Sequence, residues 1–226
     1  MKTMLILLTL ITSVTINNEL KRKVNLIKSK TDLPFELTKD IRPCRPTIAL
    51  NSELKDYLSF HAYKDIGGKK KIKDDNIFCT AFQRFNINNK NIELLDIVLE
   101  IGEFQRHILI TFDLNGQPID TLEVNINGTC LHDGFTFISS KQYRLHENLE
   151  LEVYQLIPTA GKIIEFLSKW EHAELQRIDT HYLIDENGKF IKKSETHYKP
   201  QTYDINVLSQ KEYNIWNGTE TPLDTH

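Results

Sequence analysis

The sequence predicts a mainly β fold of the α+β kind: an antiparallel meander of about eight strands, open or strongly curved, with one covering helix and an irregular N-terminal section. Three observations carry that expectation. The chain of 226 residues contains 26 Ile and 19 Thr against 5 Ala, and β-branched residues fit a pleated, half-buried surface better than a helix. From about residue 76 onward, short runs rich in Ile, Leu, Val, Thr, Phe and Tyr follow one another, separated by Gly or Asn turns. Two of these turns are Asp113-Leu114-Asn115-Gly116 and Asp185-Glu186-Asn187-Gly188, in which Asn-Gly stands between apolar runs and predicts tight hairpins with two consecutive positive φ angles.

Residues 1–15 read as a signal peptide. Lys2 precedes the uncharged run Met4–Ile11, small or β-branched residues continue to Thr15, and polar residues follow from Asn17. The run is shorter than the roughly 20 apolar residues that a bilayer-spanning helix needs, so no integral membrane span is expected in the mature chain. An N-terminal strand or buried helix is the bland alternative. Residues 16–75 form a mixed front section in which Asn51 or Ser52 is placed to cap a short helix through Phe60. The Gly67-Gly68-Lys69-Lys70-Lys71 stretch lacks both the spacer and the Ser or Thr of a phosphate loop. It reads as a solvated turn, offset by Asp65, Asp74 and Asp75.

Residues 76–226 form the antiparallel β domain. Strands are expected near 77–85, 92–101, 105–113, 118–126, 135–144, 149–157, 175–185 and 189–199. The covering helix is expected near 162–173, where Ile163, Phe166 or Leu167, Trp170 and Ala173 recur at helical spacing. From Pro200 the tail is expected to pack irregularly, anchored by Ile215 and Trp216.

Composition excludes more than it assigns. Apolar residues make up 40% and charged residues 26% of the chain, which is ordinary for a folded protein, and the net charge of -3 gives no general attraction to nucleic acid. Cys44, Cys79 and Cys130 are an odd, widely spaced set without a Cys-x-x-Cys pair, and Cys79 reads as a buried strand residue. No histidine spacing predicts a metal site and no motif predicts a cofactor. The two Asp-x-Asn-Gly segments lack the carboxylate series of an EF-hand loop and are too few for a propeller repeat. Asn127 and Asn217 open Asn-x-Thr sequons.

The last hairpin holds the one constellation that invites chemistry. A two-residue turn at Asn187-Gly188 would set Arg177 opposite Tyr198, Asp179 opposite Thr196 and His181 opposite Ser194, all six on one face. Asp179, His181 and Ser194 then have the composition of an acid-base-nucleophile triad. A serine in the middle of a flat strand has no strained turn and no oxyanion donors, so the expectation is a solvated polar face, with Ile178, Tyr182, Ile184 and Ile191 on the other side. Arg177, Asp179, His181, Ser194, Thr196 and Tyr198 are carried forward as candidate ligand contacts, and no catalytic residue is assigned.

The segments Ile108–Asp120 and Arg177–Phe190 resemble the hairpins of uncharacterised exported β-rich proteins of Bacteroidetes-type bacteria, over roughly residues 90 to 200. The resemblance implies a periplasmic or cell-surface protein and brings no functional residue with it. The leading expectation is a non-enzymatic binding or protein-interaction module with a protein partner. An immunity-like, toxin-neutralising protein and a hydrolase whose site is assembled from distant residues are the alternatives.

Overall fold

The computed structural model describes residues 21–27, 30–37, 48–50, 54, 77–89, 91–101, 104–130, 136–159, 171–208, 210 and 212–223. The signal segment, Cys44, the lysine run at 69–71 and most of the two predicted helices lie outside the described residues. Of the 162–173 segment, His172 and Ala173 are described and already belong to a strand.

All eight predicted strands are present as a meander, and their bounds move by a few residues at most. They are β4 (Ile77–Phe85), β5 (Ile92–Ile101), β6 (Phe104–Asp113), β7 (Pro118–Cys130), β8 (Thr136–Leu145), β9 (Glu150–Pro158), β10 (His172–Ile184) and β11 (Phe190–His197). Each pairs antiparallel with the next. Four short strands make twelve. In the front section, β1 (Lys30–Thr31) pairs parallel with β4, β2 (Phe35–Leu37) pairs with β8, and β3 (Ile48–Ala49) pairs with β4. In the tail, β12 (Gln201–Asp204) takes the edge of β10 that β11 leaves open. The front section and the tail are therefore less irregular than their sequences suggest.

The turns differ from expectation in one respect. Gly116 and Gly188 have φ of 82°, but Asn115 and Asn187 do not share the positive φ. Each loop has three residues, closed by Gly116 N–H to Asp113 O at 2.9 Å and Gly188 N–H to Asp185 O at 3.0 Å. This is a type I turn followed by one left-handed residue. The aspartate explains the choice: its carboxylate accepts from the backbone N–H groups two and four residues on, which favours the type I start. A third loop, His146-Glu147-Asn148-Leu149-Glu150, closes the same way with Leu149 at φ 66°, and carries no glycine to announce it.

Extra residues at Phe82, Ile119, Val124, Ser140 and Lys193 interrupt the ladders. Such bulges add local twist and bend. The meander curls until the β10–β11 turn meets β5–β7: Lys189 Nζ donates to Ile119 O at 2.6 Å and Phe190 N–H to an Asp120 carboxylate oxygen at 3.1 Å. The sheet stays open, since β11 forms no ladder with β4 or β5.

Three apolar clusters follow from the alternation of side chains. The inner face gathers Leu37, Phe85, Leu94, Leu109, Tyr143, Leu145, Leu151, Val153 and Ile184. On the outer face of β4–β6, Leu95, Ile97, Leu99, Ile108 and Ile110 are covered by Val24 of a helix over 21–26 (α1), Leu50 and Leu54. Cys79 is buried in this cluster as expected. On the outer face of β9 and β10, Tyr154, Leu156, Ala173 and Leu175 are covered by the tail, through Tyr203, a short helix α2 (Ile205–Leu208) and Ile215.

Candidate functional site

The structure brings the six candidate residues together in register and then divides them by burial. Asp179 lies opposite Thr196 and His181 opposite Ser194, and Tyr198 N–H donates to Arg177 O at 3.0 Å. The pairing arises differently from the expectation. The three-residue loop shifts the register by one, and the extra residue Lys193 shifts it back beyond Tyr182. Between the loop and the bulge the shift persists, so Ile191 faces Leu183, is 40% exposed, and does not join Ile184.

Arg177 and Asp179 are buried, which corrects the expectation of a solvated row. Arg177 donates from Nε and Nη2 to the two Asp179 oxygens, both at 2.7 Å, and from Nη1 to Glu220 at 2.9 Å. Tyr198 O–H donates to Asp179 at 3.0 Å, and Tyr203 O–H and Gln201 donate to Glu220. The guanidinium also lies over the rings of Tyr198 and Tyr154, 4.7 and 5.6 Å from their centroids. Burial works against the charge of Arg177, but Asp179 and Glu220 outweigh it and raise the pKa further. Burial, reinforced by Glu220, pushes the Tyr203 phenol far above its ordinary value. This network ties the tail to β10. Its carboxylates already hold their donors, so Asp179 does not orient His181, and no triad forms among the described residues.

His181, Ser194 and Thr196 remain accessible on the outer face, where the structure adds neighbours that the sequence did not single out. The Glu152 carboxylate accepts from Tyr154 O–H at 2.6 Å and lies 3.1 Å from His146 Nε2, 3.6 Å from Arg144 Nη1 and 3.9 Å from His181 Nδ1. Burial raises the Glu152 pKa, but Tyr154, His146 and Arg144 together bring it below the usual carboxylate range. Arg144 pairs with Glu36 at 2.8 Å and its guanidinium lies 5.6 Å from the Trp216 ring centroid. Alternation along β8 and β9 could have suggested this strip only once the register between them was known.

A second polar cluster sits on the inner face and is completely buried. Tyr143 O–H donates to Asp96 Oδ2 at 2.8 Å, and His107 Nδ1 lies 2.9 and 3.1 Å from the two Asp96 oxygens. Burial, then the adjacent Asp96 charge, raises the Tyr143 phenol well above its ordinary value. The sequence signal for this cluster is a lone Asp in Ile92–Ile101 and a lone His in Phe104–Asp113, polar residues inside otherwise apolar strands. Among the described residues no three His, Cys, Asp or Glu side chains are grouped to hold a metal ion, and no helix is long and apolar enough to cross a membrane. A crevice of about 50 Å³ between α1 and the β6–β7 turn, lined by Lys21, Val24, Arg84 and Leu114, has room only for something the size of a water or a small ion. No protein-family model, curated protein or solved structure matches the chain.

Proposed function

We propose that the chain is an exported, non-enzymatic binding protein that engages a protein partner through the outer face of β8–β11, centred on Glu152, His181, Ser194 and Thr196. The observation that carries the reading is the division of the candidate row: Arg177 and Asp179 are committed to the tail, while His181 and Ser194 stay accessible beside Glu152, Arg144 and Trp216. Strands hold these side chains in fixed register, which keeps down the ordering cost of binding. A carboxylate, a guanidinium, an imidazole and an indole side by side offer both charge-assisted hydrogen bonds and aromatic contact to a protein surface.

A photocrosslinking residue at Lys193, the exposed extra residue of β11, tests this in the cells that make the protein. The expected result is one defined protein adduct from the exported fraction, lost when Glu152→Ala and His181→Ala are combined. Recovery of the chain from the cytosol alone would overturn export. An adduct unchanged in the double variant would overturn the surface.

A further inference from the structure

The inner face holds a titratable group that the outer-face reading does not use. His107 is completely buried, and its Nδ1 is committed to Asp96 while its Nε2 has no hydrogen-bond partner. An ionised carboxylate only accepts, so Asp96 assigns the ring proton to Nδ1, and Nε2 of the neutral imidazole is left as an acceptor. A carboxylate behind an imidazole also makes the far nitrogen a better acceptor. We propose that His107 Nε2 is the recognition atom of an interior binding site for a compact, neutral molecule carrying one hydroxyl group on an aromatic or aliphatic body.

Each part of that description has a residue behind it. The hydroxyl follows from Nε2, which calls for a donor. Neutrality follows from Asp96: its carboxylate repels an anion and already holds Tyr143 and His107 as donors, so no cation is required. The apolar body follows from the walls. The Phe82 and His107 rings meet edge to face with centroids 5.0 Å apart, and Val98, directly opposite His107 across the β5–β6 ladder, is fully buried. Compactness follows from the distance to solvent. One rung outward on the same face, Glu100 pairs with Gln105 and with Phe78, which is 57% exposed, and one rung is two residues, about 7 Å.

The test is nitrogen NMR on the full chain with labelled histidine, using phenol as probe and toluene as its counterpart without a donor. The His107 signals are assigned by their loss in His107→Gln. In the free protein Nδ1 is expected to carry the proton and Nε2 to be bare. Phenol should move the Nε2 signal to saturation while toluene, at the same concentrations, leaves it in place. Asp96→Asn, with circular dichroism unchanged, should weaken phenol binding at least tenfold. If that variant does not fold, Tyr143→Phe removes one donor from the same carboxylate with little change of shape and should weaken phenol several-fold. A protonated Nε2 in the free protein, an Nε2 signal unmoved by phenol or moved equally by toluene, or full phenol affinity in the folded variant would each overturn the site.

Discussion

Gly188 controls where the two ends of the sheet meet. Its φ of 82° already disfavours any side chain, and a Cβ there would stand 3.0 Å from Ile119 Cδ1 and 3.2 Å from Ile92 Cγ2. Thr111 Oγ1 donates to its carbonyl at 2.6 Å, so the loop cannot back away without losing that bond. Gly188→Ala should therefore cost about 1–3 kcal/mol, combining backbone strain with overpacking, and urea denaturation would measure it. The Asn-Gly pair made this glycine legible as a turn residue, but its neighbours are some 70 to 95 positions earlier in the chain and had no local signature. The same limit applied to the candidate site. Alternation along β10 and β11 was enough to place Asp179 beside Thr196 and His181 beside Ser194. What buries Arg177 and Asp179 is Glu220, more than 40 residues further on, and no periodicity reports a partner of that kind. Asp96 and His107 were visible as polar intruders in apolar strands, yet only the register between β5, β6 and β8 shows that they share one hydrogen-bonded cluster.

At the level of elements, strands of eight residues or more were legible because several turns of alternation fit within them. Strands β1, β2, β3 and β12 have two to four residues, too few for any period to appear, and exist because neighbouring edges accept them. Bulges were illegible for a related reason, since an extra residue changes the pairing without changing the composition. Strand β11 shows what such a bulge does to electrostatics. Beyond Lys193, Glu195 accepts from Lys192 Nζ at 2.6 Å and from Thr180 Oγ1 at 3.2 Å, and lies 2.9 Å from His197 Nε2. Lys192 and His197 bring the Glu195 pKa down to about 2 from 4.5. A carboxylate depressed on folding stabilises the fold above its unfolded pKa and loses that contribution as pH falls toward its folded value. Glu195→Gln should therefore lower the melting temperature slightly at pH near 7 and shrink the further drop between about pH 4.5 and 2. Thermal melts across that range would show it, and an identical acid drop in both proteins would exclude the pair. The effect should be small because the group is solvent-accessible.

Across the whole molecule, the tail acts as a cover for the outer face of β9 and β10. Ile215 is fully buried against Tyr154 and Leu156, and its backbone N–H donates to Gln142 Oε1 at 2.7 Å. Ile215→Ala should cost about 2–5 kcal/mol, the range for emptying a fully buried aliphatic site, as read from the shift of a denaturation midpoint. The antiparallel architecture was legible at this scale from the short turns alone. The curl was not, because it depends on where five extra residues fall. Strand β10 takes part in both sides of the resulting structure. Its first half sends Ala173, Leu175 and Arg177 toward the tail, and its second half sends Tyr182 and Ile184 into the inner core. One edge is paired along its length with β9, while the other is divided between β12 and β11. The tail and the curled interior thus share a wall, and a fluctuation that frees one side removes half the support of the other. Opening becomes a joint event rather than two local ones, and the amides of β10 belong among the last in the molecule to exchange with solvent deuterium.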